Sequence, residues 1–125
     1  MNKVIELAGR ILLGHIFLLA GINKISGYEG TAGYMEAMGV PGGLLPLVIV
    51  LEIVGGLALI IGFKTKWAAL ALAGFTVLAA VLFHADFSDQ TQMILFMKNW
   101  AITGGLLMVY VYGAGELSLD RKLGR

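Results

Sequence analysis

Glu52 lies near the middle of residues 44–63, a stretch that contains no other charged side chain. Such a stretch is long enough to cross a hydrocarbon core of about 30 Å. A carboxylate at that depth costs several kcal/mol unless it is paired, protonated or facing water. Held in one of those ways, it can take up or release a proton. Its partner is therefore the first question. Arg10, Gly14, Phe17, Gly21 and Lys24 follow one another at intervals of 4, 3, 4 and 3, so they share one helix face. A face with two glycines and two cations belongs inside a bundle, with the glycines admitting a neighbouring helix. Counting about 1.5 Å per residue puts Arg10 roughly 9 Å and Glu52 roughly 14 Å from the same membrane face, a gap that an arginine can bridge. The expected proton-handling pair is therefore Glu52 with Arg10. Lys98, Asn99, Lys24 and Trp100 are the expected cofactor-binding set, with Phe17 and Phe96 as further walls for a ring. A purely structural reading stays open: an Arg10–Glu52 pair that only locks two helices, Asn99 bonded to a backbone carbonyl, and Lys98 snorkelling from a span end.

Other chemistries find little support. There is no cysteine among the 125 residues, which removes thiol redox cycling and thiolate metal ligation. His15 lies near the depth of Glu52 but is rotated off the Arg10 stripe, and reads as an isolated core or lipid-edge residue. His84, Asp86 and Asp89 match no strong metal-ligand spacing. The two histidines are too far apart in depth to clamp one haem, and no flavin signature is present. The glycine pairs at 42–43, 55–56 and 104–105 lack the strand–turn–helix setting of a nucleotide loop. No serine nucleophile with a base can be assembled. A net charge of +1, with no basic cluster, gives no reason to expect nucleic-acid binding.

The elements that must position these residues follow from composition. The chain is 58% hydrophobic and only 14% charged, with a mean hydropathy of +0.87. Those values point to an integral membrane protein. Four apolar segments are expected to span, at residues 4–25, 44–63, 67–83 and 93–112. This makes an all-α, four-transmembrane-helix bundle in a single domain covering residues 1–125. Lys3 and Arg10 ahead of an apolar run resemble a secretion signal, but no small-residue cleavage site follows, so the segment is expected to remain. Lys3, Lys64, Lys66, Arg121, Lys122 and Arg125 gather on one side, and Glu29, Glu36, Asp86 and Asp89 on the other. By the positive-inside rule both termini are cytoplasmic. Trp67, Trp100, Tyr110 and Tyr112 near span ends fit an aromatic belt. The loop at 26–43 is expected to cap the bundle, with room for a short helix at 31–38 whose apolar side is Tyr34, Met35 and Met38. The third span, without an ionisable group, reads as scaffold or oligomer contact.

Several of these residues lie in segments that resemble the DoxX family. They are Gly9-Arg10-Ile11-Leu12-Leu13-Gly14 through Ala20-Gly21-Ile22-Asn23-Lys24-Ile25, then Met38-Gly39-Val40-Pro41, Leu51-Glu52-Ile53-Val54-Gly55-Gly56, and Phe96-Met97-Lys98-Asn99 with Gly104-Gly105. The resemblance covers nearly the whole chain and includes the four-span layout. It implies a small bacterial inner (plasma) membrane protein, in a family whose founding member is the small membrane subunit of a thiosulfate:quinone oxidoreductase. Other members carry provisional oxidoreductase labels or are linked to quinones, catechols or oxidative stress. Arg10, Lys24, Glu52 and Asn99 match the polar positions of the family pattern, with no catalytic roles to carry over.

The resulting expectation is a quinone-linked membrane subunit of an oxidoreductase or detoxification system. Lys98 and Asn99 would donate hydrogen bonds to the quinone and Glu52 would relay protons. The chain has no evident redox centre, so a partner oxidoreductase subunit or a bound flavin would carry the electrons. Two alternatives differ in class. One is a non-catalytic anchor or assembly factor for soluble redox enzymes. The other is a small proton-coupled transporter, with two copies in a homo-oligomer as its halves, against which stands the lack of an internal repeat.

Overall fold

The computed structural model describes residues 2–84 and 88–124, and the expected acid Asp86 lies outside them. The described chain is helical throughout, with no strand. Its elements are α1 (Asn2–Ser26), α2 (Tyr28–Ala37), a 3-10 turn (Gly42–Leu44), α3 (Leu45–Ile61), α4 (Thr65–Phe83), α5 (Gln90–Tyr112) and α6 (Leu119–Lys122). The four long helices agree with the four expected spans to within a turn. All are long and apolar enough to cross a membrane.

Helix ends follow local chemistry. Pro46 lies in the first turn of α3, where its missing N–H costs nothing. Gly62 ends that helix in the left-handed region at φ 74°. Lys64 is also left-handed, at φ 46°, so the α3–α4 turn is tight and strained. The Asp120 carboxylate supplies the cap that the turn itself lacks, accepting from the Lys64 N–H at 2.6 Å and the Thr65 N–H at 2.9 Å. Asp89 caps α5 by accepting from the Thr91 N–H at 2.9 Å.

The bundle is a ring in which α1 packs mainly on α3 and α4 mainly on α5. A smaller α3–α4 contact joins the two pairs, and only a sparse contact closes the ring between α5 and α1. Backbone approach makes the α1–α3 pair intimate. A Cβ placed on Gly14 would lie 2.7 Å from the Gly56 carbonyl oxygen, and one on Gly21 would lie 2.7 Å from Cγ1 of Ile53. Only glycine admits such contact. Gly55 faces Leu72 of α4 instead.

Phe17, Leu59, Ala69, Leu72, Ala73 and Leu106 form the central core. Met35, Leu45 and Ile49 form a second core beneath α2. Large apolar residues such as Leu12, Leu47, Val54 and Met97 point outward, as lipid contact requires. The cap expected at 26–43 is a ten-residue helix, α2. Met35 is buried and Tyr34 stacks on Phe83 at 5.6 Å, but Met38 is exposed rather than part of a common apolar side.

Candidate functional site

Glu52 is 3% exposed, and its partner is Lys24 rather than Arg10. Lys24 Nζ donates to Glu52 Oε1 at 2.6 Å, from the α2 end of α1. The antiparallel register explains the exchange. Gly21 lies against Glu52 and Ile53, while Gly14 lies against Gly56, Leu59 and Ile60. Moving along α1 from Gly21 to Lys24 therefore keeps the side chain beside Glu52. Moving back to Arg10 carries it to the far end of α3.

There Arg10, also 3% exposed, serves a different purpose. Its Nη1 donates to the Leu59 carbonyl at 3.0 Å and the Ile60 carbonyl at 3.2 Å, and its Nη2 donates to the Leu117 carbonyl. The first two belong to the last turn of α3, where carbonyls lack intrahelical partners and a cation complements the helix dipole. The expected Arg10–Glu52 pair is thus replaced by two separate constructions. One is a cation lock at the end that holds both termini, and the other is an ion pair nearer α2.

The Lys24–Glu52 pair faces a cavity of about 310 Å³ between all four long helices, covered by α2. Ile16, Phe17 and Ala20 come from α1, Tyr34 and Met35 from α2, and Val48 from α3. Phe75, Thr76, Ala79 and Phe83 come from α4, and Asn99 and Ile102 from α5. Asn99 Nδ2 donates to the Thr76 carbonyl at 3.3 Å. Because that carbonyl can only accept, the amide is oriented with its oxygen elsewhere. The Thr76 hydroxyl donates to the Leu72 carbonyl at 2.6 Å, and the Thr103 hydroxyl to the Asn99 carbonyl at 2.8 Å. His84 lines the rim and its Nδ1 lies 2.9 Å from Gln92 Oε1.

Of the expected site residues, the cavity gathers Glu52, Lys24, Asn99 and Phe17. It does not gather Arg10, Lys98 or Trp100. Lys98 is exposed, since Asn99 takes the inward position beside it. Trp100 packs edge-on against Phe96 at 5.8 Å, away from the cavity, and remains 47% exposed. His15 is exposed and its Nδ1 contacts the Leu12 carbonyl at 2.5 Å. The wall from α4 was missed: Phe75, Ala79 and Phe83 recur at intervals of four, a face signal present in a span read as scaffold. No cluster of three or more metal-ligating side chains occurs among the described residues. A second, wider trough of about 1090 Å³ lies at the end that holds the termini, lined by charges including Lys3, Glu6, Lys66 and Arg121.

Fold and site together define a four-helix membrane protein with a buried ion pair opening on a small, mostly apolar chamber. The DoxX family model matches residues 5–85, and the chain belongs to that family. It is 52% identical to Inner membrane protein YqjF of Escherichia coli over all of this chain and 96% of that protein. It is 34% identical to Inner membrane protein YphA of the same organism, covering 97% of this chain and 91% of that one. It is 28% identical to the Bacillus subtilis protein named "Putative oxidoreductase CatD", covering 83% and 84%. No solved structure matches the chain.

Proposed function

We propose that this DoxX protein is the quinone-handling membrane subunit of a redox system, with the Lys24–Glu52 chamber as its headgroup site. The observation that carries the reading is the buried 2.6 Å ion pair facing a cavity lined by Phe17, Tyr34, Phe75 and Phe83. Ligand sites characteristically combine apolar and aromatic walls with a few convergent polar groups, and begin at about 300 Å³. A single substituted ring suits that size. Lys24 would donate to one ring oxygen, and Glu52 would exchange protons with the ring hydroxyls. The name of the CatD relative is consistent with redox chemistry but does not specify the substrate.

Reduction of a quinone to a quinol takes two electrons and two protons. The chain would supply the binding surface and the proton route, and a redox partner protein would exchange the electrons. The basic end, with Lys3, Lys64, Lys66 and Arg121, would face the cytoplasm.

The test is mild detergent purification followed by solvent extraction and mass spectrometry. The expected result is near-stoichiometric quinone or quinol, reduced in Glu52→Gln and lost in Asn99→Leu but retained in Lys98→Gln. A well-folded preparation that retains no ring compound, and binds none when supplied, would refute the reading. Weight would then move to a membrane anchor for soluble redox enzymes.

A further inference from the structure

The polar atoms that the protein leaves unused in the chamber are predominantly acceptors. Glu52 gives Oε1 to Lys24, and Oε2 is the carboxylate oxygen that this bond leaves over. Asn99 commits its Nδ2 to the Thr76 carbonyl, which leaves its Oδ1 as the free end of the amide. Thr76 commits its hydroxyl hydrogen to Leu72, so its oxygen offers only lone pairs. Against these stand the Lys24 ammonium, with N–H groups beyond the one given to Glu52, and the second N–H of the Asn99 amide. The threonine and tyrosine hydroxyls at the α2 side can turn either way.

A ligand must match that balance. The oxygens of a quinone only accept. Lys24 can serve one of them and the second Asn99 N–H the other, but the Glu52 carboxylate and the Asn99 amide oxygen would then meet no donor. A quinol keeps lone pairs for Lys24 and adds two O–H donors that Glu52 and Asn99 can receive. A buried polar atom left without its partner lowers affinity by about tenfold or more. Resting on the proposed function above, we infer that the chamber selects the reduced, dihydroxy form of its ring ligand over the dioxo form. Glu52 and Asn99 are the residues that discriminate.

Equilibrium binding to the full-length protein in detergent tests this. The probes are a decyl-substituted benzoquinone and the same compound reduced with dithionite, titrated anaerobically and corrected for partition into empty micelles. The expected result is quinol binding about tenfold or more tighter than quinone. Glu52→Gln, which replaces an acceptor oxygen by an N–H donor while keeping the shape, should erase or reverse that preference. Equal affinities, or tighter quinone binding, in the wild-type protein would overturn the selectivity and leave the headgroup site standing. A quinol preference unchanged in folded Glu52→Gln would overturn the role given to Glu52. Binding of neither probe would remove the selectivity and the proposed function together. Should Glu52→Gln fail to fold, the wild-type affinity ratio still decides.

Discussion

Lys24 on α1 and Glu52 on α3 meet at 2.6 Å across a helix interface so close that Gly21 lies directly beside Glu52. The Glu52 side chain is 4% exposed and that of Lys24 27%, so the carboxylate depends on the ammonium more than the reverse.

Lys24→Met is therefore expected to destabilise the protein by about 3–5 kcal/mol, the range for stranding one charge of a buried pair. Combining it with Glu52→Leu should recover much of that loss. Thermal unfolding in one detergent, with both single variants and the double, measures the coupling. A double variant no more stable than Lys24→Met would remove the pair from the energetics.

Arg10 predicts the opposite pattern. Its partners are the Leu59, Ile60 and Leu117 carbonyls, none of which Glu52 touches. Arg10→Leu should be as damaging with Glu52→Leu as without it, so the two changes add within about 0.5 kcal/mol. It should also expose the segment around Ser118 to protease, because the guanidinium ties that segment to α3. Rescue of Arg10→Leu by Glu52→Leu would contradict this assignment.

The glycines offer a graded comparison on one chain. Gly14→Ala must force a methyl against the Gly56 carbonyl oxygen, whereas Gly104→Ala meets nothing within 4 Å. The first is expected to cost about 1–3 kcal/mol as overpacking and the second to be neutral or slightly stabilising. Similar unfolding midpoints for the two would argue against a tight α1–α3 interface.

Orientation can be read with reporters fused at each end. Both termini lie at the same end of the bundle, since Glu6 packs on Gly115 and Arg10 holds Leu117. Reporters active only in the cytoplasm should give signal from both ends. A periplasmic signal from both would reverse the assignment made from the basic residues.

The spans were legible because apolar length and charge spacing act locally. The inward face of α1 was legible too, since Arg10, Gly14, Phe17 and Gly21 are all buried as their 4-3-4 spacing required. The ion pair was not. Spacing identifies a face, but not which residue of the opposite helix lies across from it. Depth counted from segment ends placed Arg10 and Glu52 within reach, when the glycine contacts set a register that separates them. Nor could local pattern show that Leu117, 107 positions along the chain, would supply a carbonyl to Arg10. The α4 wall was obscured because aromatic and small residues in an apolar span look alike whether they face lipid or a cavity.

The uneven packing of the ring has a mechanical consequence. Helices α1 and α3 form one stiff leaf, fused along Gly14, Gly21 and Gly56, and α4 with α5 forms the other. The α3–α4 contact joins the leaves like the spine of a book, and Arg10 and Asp120 tie the segment after α5 to its end. The sparse α5–α1 seam is the fore-edge. A change of angle between the leaves would alter the width of the chamber without deforming either one. The charged residues Lys24 and Glu52 share a single page, and Phe75 and Phe83 of the opposing wall belong to the other.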